Sequence, residues 1–149
     1  MSTELSPVTI LLADDDPGDC NLTQRAFARA KINNRLFVVR DGEEALDYLL
    51  HRGKYADPAS APRPDLVLLD LNMPKVDGRE VLDRIRSTPS LRRIPVVILT
   101  TSKQEEDILR SYDLGVNSYI TKPVNVTDFI ATIQALENYW FQIVILPSE

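Results

Sequence analysis

The sequence predicts an α/β fold in which a parallel sheet carries helices on both faces. Three observations lead there. Short apolar runs alternate with helix-like segments along the chain, five of each, which is the pattern of repeated βα units. One of those runs, Leu66-Val67-Leu68-Leu69, is continuously apolar, as in a strand buried on both faces. The length, 149 residues, matches one domain able to bury a core without disulfides or metal staples.

The elements follow in order. Val8 to Ala13 is the first strand. Asp16 then caps a helix with Pro17 at its first position, where the missing N–H costs nothing. Leu22, Ala26 and Ala30 fall on one face of that helix. Leu36 to Val39 is the second strand, and Gly42 to His51 is a helix carrying Ala45, Leu46, Leu49 and Leu50. Gly53 to Pro64 is long for an αβ connection and reads as a local insertion, with three prolines. Leu66 to Asp70 is the third strand. Gly78 to Ser87 is a helix with Val81, Leu82 and Ile85 as its buried stripe, and Val96 to Thr100 is the fourth strand. Gln104 to Leu114 is a helix stopped by Gly115 at C′. Ser118 to Thr121 is the fifth strand. Asn125 caps a last helix, with Asp128 three residues on and Phe129, Ile133, Leu136 and Trp140 sharing a face. Right-handed crossovers leave few topologies for such a chain. The expected one is the flavodoxin-like (βα)5 doubly wound sheet, strand order 2-1-3-4-5, whose first and third strands flank the switch point.

Composition narrows the function. Apolar residues make up 44% and charged residues 26%, an ordinary globular mixture. The net charge is −5, and the modest cluster Arg79, Arg84, Arg86, Arg92 and Arg93 reads as a solvated helix face. No nucleic-acid partner is expected. The single cysteine, Cys20, excludes an internal disulfide and reads as a small, inert thiol. No stretch is long or apolar enough to span a membrane, and the N-terminus lacks a signal-peptide pattern, so the expected location is the cytoplasm, with no membrane partner.

The chemistry lies at the carboxyl ends of the strands, where open α/β sheets bind ligands. The first strand ends at Asp14-Asp15-Asp16, the third at Asp70, the fourth at Thr100-Thr101-Ser102, and the fifth runs into Lys122-Pro123. An ionised Asp70 at the tip of a buried strand is costly unless compensated. Several carboxylates in one cleft repel each other, and a divalent cation removes that conflict. All-oxygen ligands favour Mg²⁺ over zinc, and the only histidine, His51, belongs to another part of the chain. Asp16 is assigned to the helix cap. A carboxylate with a metal, a lysine and a hydroxyl around it suits phosphoryl transfer, the carboxylate acting as nucleophile and becoming an acyl phosphate.

Five segments carry a resemblance: Ile10-Leu11-Leu12-Ala13-Asp14-Asp15, Leu66 to Pro74, Asp77-Gly78, Pro95 to Thr100, and Tyr119-Ile120-Thr121-Lys122-Pro123. Together they resemble the receiver domain of two-component response regulators. The resemblance implies that residues 8–140 form a receiver domain, flanked by an N-terminal segment, 1–7, and a C-terminal extension, 141–149. It implies that Asp70 accepts a phosphoryl group from a sensor histidine kinase. By the same resemblance Asp15 binds Mg²⁺ directly, Asp14 does so mostly through water, and Asp70 and the Asn72 carbonyl complete the ligands. Lys122 pairs with the phosphoryl group, Thr100 shifts onto it, and Tyr119 is the aromatic switch that follows. Asn72 and Ser102, each two residues beyond a key position, tune hydrolysis of the acyl phosphate. The insertion and the ending Tyr139 to Pro147 are similar to single-domain, CheY-like regulators partnered with phytochrome kinases. Ile143, Val144, Ile145 and Leu146 lie beyond the expected end of the fifth helix as an apolar patch. The tail either folds back onto its own domain or, as the resemblance favours, joins a homodimer through the fourth helix, fifth strand and fifth helix, with Trp140, Phe141, Ile143 and Ile145 as contacts.

Two other function classes compete. An aspartyl phosphatase or phosphotransferase enzyme usually wants a second acid two residues after the nucleophile, where this chain has Asn72. A flavin-binding domain needs a phosphate-cradling loop after the first strand, where this chain has three aspartates. A signalling receiver, not an enzyme, is the expectation.

Overall fold

The structure is a computed structural model. It describes residues 8–29, 34–73, 75–100, 102–111, 115–116, 118–121, 127 and 131–132. The chain runs β1 (Val8–Ala13), α1 (Pro17–Arg29), β2 (Asn34–Val39), α2 (Gly42–Leu50), β3 (Leu66–Asp70), α3 (Gly78–Ser87), β4 (Val96–Thr100), α4 (Lys103–Arg110) and β5 (Ser118–Thr121). The five strands form one sheet in the order β2-β1-β3-β4-β5, every neighbouring pair parallel. The order is the expected 2-1-3-4-5.

Strand alternation divides the core in two. Leu11, Ala13, Val67, Leu69, Val96 and Ile98 point to one face, where Leu46, Leu49, Val81, Leu82 and Ile85 of α2 and α3 cover them. Ile10, Leu12, Leu66, Leu68, Val97 and Leu99 point to the other, against Ala26 and Phe27 of α1. Every residue of β3 and β4 is buried, as both-face packing requires.

Several expectations shift in detail. β2 begins at Asn34, two residues before its apolar run, because backbone pairing with Val8 and Thr9 needs no apolar side chain; the Arg35 guanidinium donates to the Thr9 hydroxyl across the strands at 3.0 Å. On α1 the buried stripe is Asp19, Thr23, Ala26 and Phe27, with Leu22 only partly covered. The bulk of Phe27 draws that face of the helix onto the sheet; Ala30 lies outside the described residues. α2 stops at Leu50, because His51 takes the left-handed conformation (φ 56°) that ends it. The insertion contains two short 3-10 turns, Gly53–Tyr55 and Pro58–Ser60. It is fastened to α2: the Tyr55 hydroxyl donates to Glu44 at 2.7 Å, Lys54 pairs with the same carboxylate at 2.9 Å, and the Tyr48 hydroxyl donates to the Pro62 carbonyl at 2.8 Å.

The arginine cluster is not wholly a solvated face. The Arg86 guanidinium donates to the carbonyls of Arg92 (2.9 Å), Ile94 (3.2 Å) and Gly115. One side chain thus ties α3 to the chain before β4 and to the turn before β5. Gly115 has φ 69°, but it is not the C′ residue of the preceding helix, whose C-cap is Ser111. The helix itself is described from Lys103 to Arg110, one residue earlier than expected at its start. Of the expected fifth helix, Thr127, Ala131 and Thr132 are described, all helical. Asn125, Asp128, Phe129, Ile133, Leu136, Trp140, Phe141, Ile143 and Ile145 lie outside the described residues. Among the described residues no helix is long and apolar enough to cross a membrane.

Candidate phosphoryl-transfer site

The strand register builds the acidic cluster. Ala13 pairs with Leu69, so the next residues along β1 and β3, Asp14 and Asp70, leave the sheet side by side. Oxygen atoms of Asp14, Asp15 and Asp70 all lie within 4.8 Å of one another. Asp14 and Asp70 are buried and Asp15 is exposed, so the cluster has a closed floor and an open side. The backbone holds the carboxylates in place. The Asp16 N–H donates to Asp14 Oδ1 at 3.0 Å, and the Asn72 N–H donates to Asp70 Oδ1 at 2.9 Å.

Asp16 turns away to its own task. It is exposed, its Oδ1 accepts the Gly18 N–H at 2.8 Å, and its carbonyl accepts the N–H groups of Asp19 and Cys20. That is the work of a helix cap, as expected. His51 is also away from the cluster, with Nε2 2.8 Å from the Ala61 carbonyl.

α3 sets the position of Asp70. Asp77 caps that helix by accepting the Glu80 N–H at 3.0 Å, and the Gly78 N–H donates to the Leu71 carbonyl at 3.1 Å. A Cβ on Gly78 would lie 2.5 Å from the Asp70 carbonyl oxygen and 2.6 Å from the Leu71 Cα. A side chain at residue 78 is therefore incompatible with this approach. Gly42 plays the matching part at the start of α2, where a Cβ would fall on the Val76 carbonyl. The Asp77-Gly78 pair is legible in the sequence, but its packing against Asp70 is not.

Thr100 ends β4, fully buried. Its hydroxyl lies 3.5 Å from the Ile120 carbonyl and 3.3 Å from the Thr121 hydroxyl, both on β5. Ser102 caps α4, its hydroxyl accepting the Glu105 N–H at 3.0 Å. The Asn72 side chain is exposed. Tyr119 is half-buried, its hydroxyl 3.4 Å from the Leu109 carbonyl and its ring beneath the Arg110 guanidinium at 4.6 Å. Thr101, Lys122 and Pro123 lie outside the described residues.

Sequence reasoning missed Glu106. It is buried on α4 and accepts from Thr121 (3.0 Å), Lys103 (3.0 Å) and Arg110 (2.9 Å). Burial pushes this carboxyl up, and the bonds from Lys103, Arg110 and Thr121 outweigh that and hold it below its ordinary value. Its spacing to Lys103 and Arg110 is visible in the sequence as ordinary helical pairing. Nothing in that spacing tells that it lies against β5.

The donor set is all carboxylate. Such a set fits a hard divalent cation of the Mg²⁺ type.

Comparison with known proteins agrees with this geometry. A family model described as the response regulator receiver domain matches residues 10–134. The response regulator Rcp1 of Synechocystis sp. is 45% identical over 149 residues, 99% of each chain. The crystal structure of the phosphorylated cyanobacterial phytochrome response regulator RcpA is 47% identical, with a TM-score of 0.76 over 93% of this chain and 97% of that one. The Mn²⁺-bound form of Rcp1 gives a TM-score of 0.74 at 45% identity, with the same coverage.

Proposed function

This chain belongs to the response regulator receiver domain family, and from that premise we propose that Asp70 accepts a phosphoryl group from the phosphohistidine of a sensor kinase. The observation that carries the reading is the cluster of Asp14, Asp15 and Asp70 at the ends of adjoining parallel strands. An Asp70 oxygen attacks phosphorus, the P–N bond breaks, and the imidazole leaves with a proton. Asp14 and Asp15, with Asp70 and the Asn72 carbonyl, would hold Mg²⁺, which neutralises phosphoryl oxygens when bound. The Mn²⁺ bound by the relative Rcp1 supports a divalent cation here.

Each remaining residue takes a part in the proposal. Lys122 neutralises the transferred group, and Asn72 and Ser102 set how long it persists. Thr100 senses it by moving its hydroxyl off β5. Tyr119 then changes position, and the output leaves through α4, β5 and the segment that follows. A buried hydroxyl beside a buried acid at two neighbouring strand ends supports a bistable element of this kind.

The proposal extends to the cell. The likeness to RcpA supports a phytochrome as the kinase. The protein acts in the cytoplasm by protein–protein contact, without an enzymatic output of its own. It forms a homodimer through α4, β5, the expected fifth helix and the tail containing Trp140, Phe141, Ile143 and Ile145. Residues 8–140 are the receiver domain, between the segments 1–7 and 141–149.

The test is phosphotransfer from a panel of phosphorylated histidine kinases, with Mg²⁺ and with EDTA. Transfer is expected with Mg²⁺, to be lost with EDTA and lost in Asp70→Asn. Undiminished transfer to Asp70→Asn would overturn the assignment.

A further inference from the structure

We infer that Glu106 is the positioning residue that couples Thr100 to Tyr119, holding both in the arrangement described above. The inference rests on the proposed role of Asp70 and adds a component to it.

The path is continuous. The Thr100 hydroxyl meets the Thr121 hydroxyl at 3.3 Å. Thr121 donates to Glu106 Oε1 at 3.0 Å. Glu106 Oε2 accepts from Arg110 Nε at 2.9 Å and from Lys103 Nζ at 3.0 Å. Arg110 lies over the Tyr119 ring at 4.6 Å, and the Tyr119 hydroxyl reaches back to α4 at Leu109. Two residues of β4 and β5 are thus joined through one carboxylate of α4.

The parts differ in rigidity, and that fixes the direction of the effect. Thr100 and Thr121 are strand residues locked by register, Thr100 opposite Thr121. Arg110 is a long, largely exposed side chain that has many positions open to it in water. The buried carboxylate selects one of them, the position over Tyr119. A cation on a ring face in a partly desolvated site is an attractive contact, so Arg110 in turn restrains the ring. When Thr100 leaves Thr121 for a phosphoryl group, the first link of the path breaks. The restraint on Tyr119 therefore favours the arrangement in which Thr100 stays on β5. By linkage, weakening that restraint makes occupation of Asp70 more favourable by the same factor that it frees Tyr119.

Glu106→Gln keeps the shape and an acceptor for Thr121, but removes the charge that holds Arg110. Thr121→Val cuts the path on its other side with little change of shape. The full-length protein would carry 3-fluorotyrosine, with Tyr119→Phe assigning the Tyr119 resonance. Beryllofluoride with Mg²⁺, which stands in for a phosphoryl group on a carboxylate, is the titrant.

Wild type is expected to show a Tyr119 shift on titration. In Glu106→Gln the resonance should already lie partway to the bound position, and the apparent Kd for beryllofluoride should fall about fivefold. Thr121→Val should move both readings the same way, and it carries the test alone if Glu106→Gln does not fold. A wild-type protein that does not respond to beryllofluoride would refute the reading of Asp70, and this inference with it. A responsive wild type, with variants that keep its Tyr119 position and affinity, would leave Asp70 standing and refute the coupling; a purely structural Glu106 lowers stability without moving either reading.

Discussion

Replacing Gly78 with alanine tests the link between the fold and the acidic cluster. In an exposed helix, glycine to alanine normally stabilises by about 1 kcal/mol. Here the added Cβ meets the Asp70 carbonyl oxygen at 2.5 Å and the Leu71 Cα at 2.6 Å, where ordinary contact begins near 3.4 Å. Both are backbone atoms and cannot swing aside, so α3 and the end of β3 must separate by about 1 Å. Overpacking of this kind costs ~1–3 kcal/mol. Set against the propensity gain, the net loss is up to about 2 kcal/mol, which lowers Tm by up to about 6 °C in a chain of this size. The displaced backbone carries Asp70 and the Asn72 N–H that orients it, so on the proposed function Mg²⁺ affinity should fall roughly tenfold as well. Thermal melts and Mg²⁺ titration read the two effects. Gly18→Ala is the control: its Cβ meets only the Asp16 side chain, at 3.2 Å, and the change should stay within about 0.5 kcal/mol. A Gly78→Ala protein that melts at or above the wild-type temperature and binds Mg²⁺ normally would refute the reasoning.

Two further outcomes concern the insertion and the arginine strut. Burial raises the Glu44 carboxyl, but the bonds from Tyr55, Arg40 and Lys54 outweigh it and leave it below its ordinary value of 4.5. The folded protein therefore binds a proton there less readily than the unfolded chain. The resulting stability is present above pH 4.5 and drains away as pH falls through the folded value. Tyr55→Phe should cost about 1 kcal/mol in urea unfolding at neutral pH and flatten the acid limb of the stability profile; an unchanged limb would refute the role of this bond. Arg86→Met keeps the aliphatic stem but strands three carbonyls and should cost about 1–2 kcal/mol, with hydrogen exchange rising first near Gly115; unchanged exchange there would show the strut to be idle.

What could be read from the sequence follows a physical division. β1, β3 and β4 were legible to the residue, because burial on both faces demands mostly apolar runs, interrupted only by Thr9 and by the terminal Asp70 and Thr100. β2 was legible only in its apolar part, since an edge strand also pairs through polar residues such as Asn34 and Arg35. The acidic cluster was legible because strand ends converge in a parallel sheet, so Asp14, Asp15 and Asp70 needed only a correct strand order. Glu106, Arg86 and the close approach at Gly78 were not. Each depends on which distant backbone a side chain happens to face, and a glutamate among Lys103, Glu105 and Asp107 looks like any solvated helix residue. Phe27 was passed over for the same reason: one residue of rotation separates the face chosen from the face that is buried.

The acidic cluster has a consequence for the life history of the chain. Asp14 and Asp70 meet only through β1–β3 pairing, and α1, β2, α2 and the insertion all lie between them in sequence. Pairing of this kind is non-local and intrinsically slow, because loop-closure entropy must be met before its contacts are gained. A chain still being synthesised, or one trapped short of the full sheet, holds its aspartates as scattered, solvated acids. On the function proposed above, such a chain would neither collect a cation nor accept a phosphoryl group. On that function, competence to carry the signal would certify that the molecule has finished folding, and incompletely folded copies would stay silent without any separate mechanism to exclude them.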